Sequence, residues 1–274
     1  MKYSVNLSLL ALVTFVFNMF YMAAANAATP IPAPPQVAAK NYILVDFNRG
    51  RLLAEKDADE QVEPASITKL MTGYVIYREL DSGRMSLDDM VTISEKAWRM
   101  GGSRMYVEVG KQVSVRELLK GMVIQSGNDA TVALAEHIAG TEDAFVQLMN
   151  EYAAQLGMTN TMFLNSTGWP AEGHLTTARD IAKLAVAVID EFPEYYSWYK
   201  EKVYTYNNIK QYNRNKLLWR DNSVDGMKTG HTESAGYCLV SSALRSDMRL
   251  VAVVLGTDSE KARASVSQSL LSYG

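Results

Sequence analysis

The chain has 274 residues, 48% of them hydrophobic, and a formal net charge of -3 at neutral pH. That apolar share is ordinary for a globular core and excludes a disordered chain, and the slight acidity argues against a nucleic-acid binder, which carries a basic surplus. The single cysteine, Cys238, rules out an intramolecular disulfide, and His137, His174 and His231 are too scattered for a metal-ligand pattern.

The first residues have the pattern of an export signal. Lys2 supplies a positive start, Leu7 to Met22 is largely apolar, and Ala25-Asn26-Ala27 has small-x-small cleavage spacing. The apolar run is long for a signal, so an uncleaved membrane anchor is the alternative. Either reading puts the bulk of the chain outside the cytoplasm. No second stretch is long and apolar enough to span a bilayer. Residues 28–36 contain Pro30, Pro32, Pro34 and Pro35, which make an extended linker. The expected layout is a signal at 1–27, a linker at 28–36 and one catalytic domain at 37–274.

Tyr42 to Phe47 reads as a strand, Asn48-Arg49-Gly50 as a turn, and Arg51 to Glu55 as the returning strand. Ile67, Leu70, Met71, Tyr74, Val75, Tyr77 and Leu80 then recur with helical spacing, which predicts a helix headed by Ser66 and ending near Gly83. Met90 to Ile93 is strand-like. Ser114 to Met122 is helical in pattern, with Ser114 and Glu117 at capping-box spacing. A turn at Gln125 to Asn128 precedes helices from about Asp129 to Ala139 and from Glu142 to Leu156. Asn165 to Gly173 is a loop. Thr177 and Asp180 have capping-box spacing before an apolar helix, Ile181 to Ile189. Tyr204 to Tyr206 suggests a short hairpin. Val224 to His231, Gly236 to Leu244 and Met248 to Leu255 are strands, and Ser259 to Tyr273 is a closing helix. Strands at both ends around a helical middle predict an α+β fold, with one antiparallel sheet built from the two termini and a mostly helical lobe beside it.

Three polar clusters stand in order along this pattern. Ser66 and Lys69, three apart on a helix, are neighbours on one face. Ser126-Gly127-Asn128 lies in a turn between helices. Lys228-Thr229-Gly230 lies on a strand and is followed by His231. Each is weak alone, since Ser66 and Ser126 could be helix caps and Lys228 a plain strand residue. Together, in this order, they match the Ser-x-x-Lys, Ser-x-Asn and Lys-Thr-Gly set of penicillin-binding proteins and class A β-lactamases. A serine hydroxyl needs a nearby base, and a lysine serves as one only when its pKa is lowered. Burial and a neighbouring positive charge such as Lys228 act in that direction.

The sequence resembles the low-molecular-weight penicillin-binding proteins that act as D-alanyl-D-alanine carboxypeptidases, from about Pro35 to Gly274. Pro64-Ala65-Ser66, Gln125 to Ala130, Asp225 to Thr232, Thr177 to Asp180 and Asn213-Arg214-Asn215 carry the resemblance with the three motifs. It implies a β-lactamase/transpeptidase-like fold with a five-stranded antiparallel sheet. It implies Ser66 as nucleophile, Lys69 as its base and Ser126 as a proton relay. Asn128 would hold Lys69 and the substrate amide, and Lys228 and Thr229 the terminal carboxylate. Gly230 would let the peptide lie close to the strand. The backbone N–H groups of Ser66 and His231 would form the oxyanion hole, and the His231 side chain would line the pocket. The implied substrate is the peptidoglycan pentapeptide, with β-lactams as covalent inhibitors and no cofactor. A D,D-endopeptidase uses the same parts and is the alternative activity.

Two features depart from the wider pattern. Gly127 stands where the handed-down motif of β-lactamases has aspartate, which favours the carboxypeptidase branch. Glu172 is not in a pattern that matches the water-activating glutamate of class A β-lactamases, so efficient antibiotic hydrolysis is not expected. The family commonly adds a β-rich domain and an amphipathic membrane helix; the resemblance implies peripheral association with the inner membrane, with no C-terminal anchor expected from the residues of this chain. Cys238 reads as a buried small residue, and the aromatic residues from Tyr195 to Tyr206 as packing rather than a carbohydrate platform.

Overall fold

A computed structural model describes residues 32–274; the export signal and the start of the linker lie outside the described residues. Residues 35–274 form one compact unit. Its centre is a five-stranded antiparallel sheet in the order β2-β1-β9-β8-β7. The strands are β1 (Asn41–Asp46), β2 (Arg51–Lys56), β7 (Val224–Thr232), β8 (Gly236–Arg245) and β9 (Met248–Thr257). The two ends of the chain thus meet at the β1–β9 ladder, where Ile43 faces Val253.

The sheet is buried on both faces because the apolar residues of β9 run without polar interruption. Val251, Val253 and Leu255 pack towards the helical lobe, whereas Leu250, Ala252 and Val254 join the cluster of the closing helix, with Leu270 and Leu271. Helix α9 (Glu260–Tyr273) is capped by the Ser259 hydroxyl, which accepts from the Ala262 N–H. The lobe is built from α1 (Lys69–Asp81), α3 (Val115–Lys120), α4 (Asn128–Ala139), α5 (Glu142–Gln155) and α6 (Ala178–Glu191). Smaller elements join them: β3 (Met90–Thr92), α2 (Glu95–Arg99), β4 (Gln112–Ser114), α7 (Pro193–Tyr196), the hairpin β5 (Val203–Tyr206) and β6 (Ile209–Tyr212), and α8 (Leu217–Arg220). Among the described residues, no helix is long and apolar enough to cross a membrane.

Four local expectations are corrected. Ser66 does not head an α-helix: it sits in a 3₁₀ turn, Ala65–Thr68, and α1 begins at Lys69. The helix predicted to Met122 stops at Lys120 and continues as a π-type turn, Gly121–Gln125, which ends with Ser126 in the left-handed region at φ 66°. Ser114 caps α3, yet the Glu117 carboxylate turns away and accepts from the Tyr204 hydroxyl at 2.6 Å, so only half a capping box forms. Asp180 likewise turns away, to accept from the Asn160 N–H and the Thr161 hydroxyl, both at 2.9 Å. Long-range partners outcompete the local one because each of these carboxylates sits where two chain segments meet. The aromatic run is packing: Tyr196, Tyr199 and Tyr204 are buried. Cys238 is buried too, and burial pushes its thiol up to about 11.

Candidate active site

Edge strand β7 runs beside the 3₁₀ turn that carries Ser66. The approach is close at Gly230, where a Cβ would lie 3.1 Å from the Pro64 carbonyl oxygen and 3.2 Å from the Ala65 Cβ. The glycine is therefore required first by the fold, to let the strand meet the serine turn. Ala65 is held at φ 46°, a left-handed conformation that favours glycine, so the turn stores strain beside Ser66.

Ser66 does not cap a helix in this turn. Its Oγ instead accepts a hydrogen bond from Lys69 Nζ at 3.0 Å. Lys69 is buried, and two further acceptors hold its Nζ: Asn128 Oδ1 at 2.7 Å and the Thr167 carbonyl at 2.6 Å. None of the three is a carboxylate. Burial lowers the Lys69 pKa to about 7, although the charge of Asp129 acts the other way. Once neutral, an amine has two N–H donors and one lone pair. The two carbonyl-type acceptors take the donors, and the lone pair faces the Ser66 hydroxyl.

The second motif supports the same nitrogen. Asn128 is fixed at both ends, because its Nδ2 donates to the Gly101 carbonyl at 2.8 Å. One Nδ2 proton remains for a ligand. Gly127 has a steric cause: a Cβ there would lie 2.9 Å from both Asp129 Oδ1 and the Met105 nitrogen. The buried Asp129 carboxylate accepts from the N–H groups of Met105, Tyr106 and Val107. It thereby ties the segment after Gly101 to the start of α4.

Across the cleft, Lys228 is also buried. Its Nζ donates to Ser126 Oγ at 2.8 Å and to the Thr229 carbonyl at 2.9 Å. Burial holds its pKa well below the usual lysine range, and the charges of Lys69, Arg214 and Arg263 add to that. The cleft encloses about 590 Å³. Ser66, Ser126, Asn128, Thr229, Gly230 and His231 line it, while the Lys69 and Lys228 amines lie behind the two serines. His231 is exposed and packs at a tilt against Tyr237, with ring centroids 3.9 Å apart. Glu172 is exposed and lies outside the cleft lining. Cys238 and the three histidines form no metal site, and no cluster of potential metal ligands occurs among the described residues.

Sequence reasoning assigned no role to four contributors. The Thr167 carbonyl reaches Lys69 because the Asn165 side chain gathers the loop: its Oδ1 accepts from the N–H groups of Thr167, Gly168 and Trp169. Asparagine followed by small residues signals such a turn, but not what it touches. Asp129 resembled an ordinary helix-start acid. Arg214 and Arg263, far apart in the chain, both line the cleft end beside Lys228.

Residues 27–259 match the family model of peptidase S11, D-alanyl-D-alanine carboxypeptidase. D-alanyl-D-alanine carboxypeptidase DacC of Escherichia coli (strain K12) is 47% identical over 94% of this chain, which spans 66% of that relative's length. A D-alanyl-D-alanine endopeptidase of Pseudomonas aeruginosa is 34% identical over 89% of the chain, which spans 81% of it. Among solved structures, penicillin binding protein 5 from Haemophilus influenzae superposes with a TM-score of 0.87 at 46% identity, covering 89% of this chain and 72% of that one. Penicillin-Binding Protein D2 from Listeria monocytogenes, in its ampicillin bound form, gives a TM-score of 0.81 at 28% identity, over 88% and 99%. The chain therefore belongs to the D-alanyl-D-alanine carboxypeptidase family of serine peptidases, and its fold is that of the penicillin-binding proteins.

Proposed function

We propose that this chain is itself a serine D,D-carboxypeptidase that removes the terminal D-alanine of peptidoglycan stem pentapeptides. The observation that carries the reading is the Lys69 amine, buried, bonded to no carboxylate and held by Ser66 Oγ at 3.0 Å, Asn128 Oδ1 and the Thr167 carbonyl. Neutral Lys69 takes the hydroxyl proton as Ser66 Oγ attacks the carbonyl carbon of the penultimate D-alanine. The backbone N–H groups of Ser66 and His231 stabilise the oxyanion. The C–N bond then breaks, and the leaving amine receives its proton through Ser126. Lys228 supports that relay, because it donates to Ser126 Oγ and leaves the hydroxyl proton free to point into the cleft. Water then releases the acyl group from Ser66.

Lys228, Thr229, Arg214 and Arg263 form a positive end suited to the terminal carboxylate of the substrate. A bound carboxylate favours the charged form of Lys228. β-Lactams acylate the same serine, and efficient antibiotic hydrolysis is not expected, since Glu172 lies outside the cleft lining. The reading includes export to the periplasm or cell-wall space through the signal at 1–27, with 37–274 as the catalytic domain. The endopeptidase alternative has the less similar relative. Relative rates on a pentapeptide and on a cross-linked dimer separate the two. Mass spectrometry of the protein treated with penicillin tests the chemistry. One adduct on the Ser66 peptide, absent in Ser66→Ala, is expected; an adduct that persists in Ser66→Ala overturns the assignment.

A further inference from the structure

A second groove of about 560 Å³ adjoins the cleft, lined by Tyr212, Lys216, Trp219, Arg220, Glu260 and Lys261. Glu260 lines both. From Tyr212 to Arg220 buried and outward-facing residues are interleaved. Asn213, Asn215, Leu217 and Leu218 are buried, while Tyr212, Lys216, Trp219 and Arg220 are exposed. The buried residues fix the backbone. Asn213 Nδ2 donates to the Tyr199 and Glu201 carbonyls at 3.1 and 3.0 Å, and Asn215 Nδ2 donates to the Gly226 carbonyl at 2.9 Å. The outward side chains are thus carried on a pinned backbone. Arg214, in the middle of this stretch, lines the catalytic cleft instead.

The groove pairs aromatic faces with uncompensated positive charge. Tyr212 and Trp219 are 52% and 44% exposed, more than packing needs. Lys202 and Lys216 both stand over the Trp219 ring, at 6.0 and 5.7 Å, and Lys210 stands over Tyr212 at 5.5 Å. Lys216, Arg220 and Lys261 meet no carboxylate in an ion pair among the described residues. The one acid of the groove, Glu260, lies 3.5 Å from Arg263. Exposed rings stack on the apolar faces of sugars, and clustered cations attract carboxylates.

We propose that this groove is an accessory subsite for the peptidoglycan polymer, binding its amino-sugar chain and the carboxylate-bearing peptides on it next to the stem held in the cleft. The inference rests on the carboxypeptidase reading. It adds that the substrate is engaged as polymer and not only as a stem peptide. An anionic membrane surface has related chemistry, but continuity with the cleft through Glu260 favours the polymer.

Two double variants test it: K216E/R220E and Y212A/W219A. Both are to be compared with the wild type in co-sedimentation with purified peptidoglycan sacculi, and in D-alanine release from sacculi and from a soluble pentapeptide. We expect sacculus affinity and D-alanine release from sacculi to fall roughly five- to tenfold in each variant. Soluble pentapeptide turnover and fluorescent-penicillin labelling stay within about twofold of wild type, which also shows that the variants fold. Unchanged sacculus binding in both variants overturns the proposal. So does an equal loss on the soluble pentapeptide, which would make the groove part of the cleft. Loss of binding to phosphatidylglycerol vesicles with sacculus binding intact assigns the groove to a membrane instead. A wild type that binds sacculi through these residues yet releases no D-alanine from either substrate refutes the carboxypeptidase reading and leaves the groove in place.

Discussion

Two buried lysines face one cleft from opposite sides, and their surroundings differ. Lys69 begins a helix in the packed lobe and meets three fixed oxygens, two of them carbonyl-type. Lys228 lies on an edge strand, meets a serine hydroxyl and the carbonyl of its neighbour, and has Arg214 and Arg263 nearby. The first environment directs one nitrogen at one hydroxyl. The second gathers positive charge from Arg214 and Arg263, offset in part by Glu260 beside Arg263. The same side chain therefore serves two ends: proton transfer where its partners are fixed, and carboxylate recognition where its partners are missing.

Removing the Lys69 amine is the strongest way to break this comparison. Lys69→Met should slow penicillin acylation of Ser66 by about a thousandfold or more, measured by stopped-flow labelling. The loop that brings Thr167 to Lys69 comes next. Gly168 sits at φ 83°, and a Cβ there would lie 1.7 Å from the Ala65 carbonyl oxygen. Gly168→Ala should cost about 3 kcal/mol or more in urea unfolding, and lower acylation as the Thr167 carbonyl shifts.

His174 anchors that loop. Asn165 Nδ2 lies 3.3 Å from its Nδ1, and Thr68 Oγ1 lies 3.1 Å from its Nε2. An amide donor at Nδ1 places the ring proton on Nε2 in a neutral imidazole. Burial lowers its pKa from 6.5 to about 4. Between these values the unfolded chain holds a proton that the folded one lacks, so stability falls as pH drops across that window. The loss is roughly 3 kcal/mol. His174→Gln should flatten thermal stability between pH 6.5 and about 4.5. Glu142, whose pKa is lowered chiefly by Lys96 and Ser166 against the cost of burial, loses its contribution only below that window. The mildest change sharpens the Lys228 side. Lys228→Met should lower the preference for a free terminal carboxylate over its amide by about ten- to a hundredfold, read from kcat/KM on the two peptides.

Much of this architecture was legible in the residues themselves. The apolar runs of β8 and β9, the period of α1 and the order of the three motifs each depend on neighbours in the chain. The polar cage around Lys69 does not. The Thr167 carbonyl, the Gly101 carbonyl and Asp129 come from segments whose local pattern says only loop or helix start. Glu117 and Asp180 show the same limit, since both satisfy capping spacing and then bond across the fold. The aromatic residues divide: Tyr196, Tyr199 and Tyr204 are buried, whereas Tyr212 and Trp219, beyond that run, are among the exposed rings.

The account stands on a neutral amine beside the Ser66 hydroxyl. The pH dependence of the penicillin acylation rate measures that state directly. The rate should rise tenfold per pH unit below the Lys69 pKa and level off above about 7. A rate independent of pH from 5 to 9, or one that keeps the same profile in Lys69→Met, would contradict it.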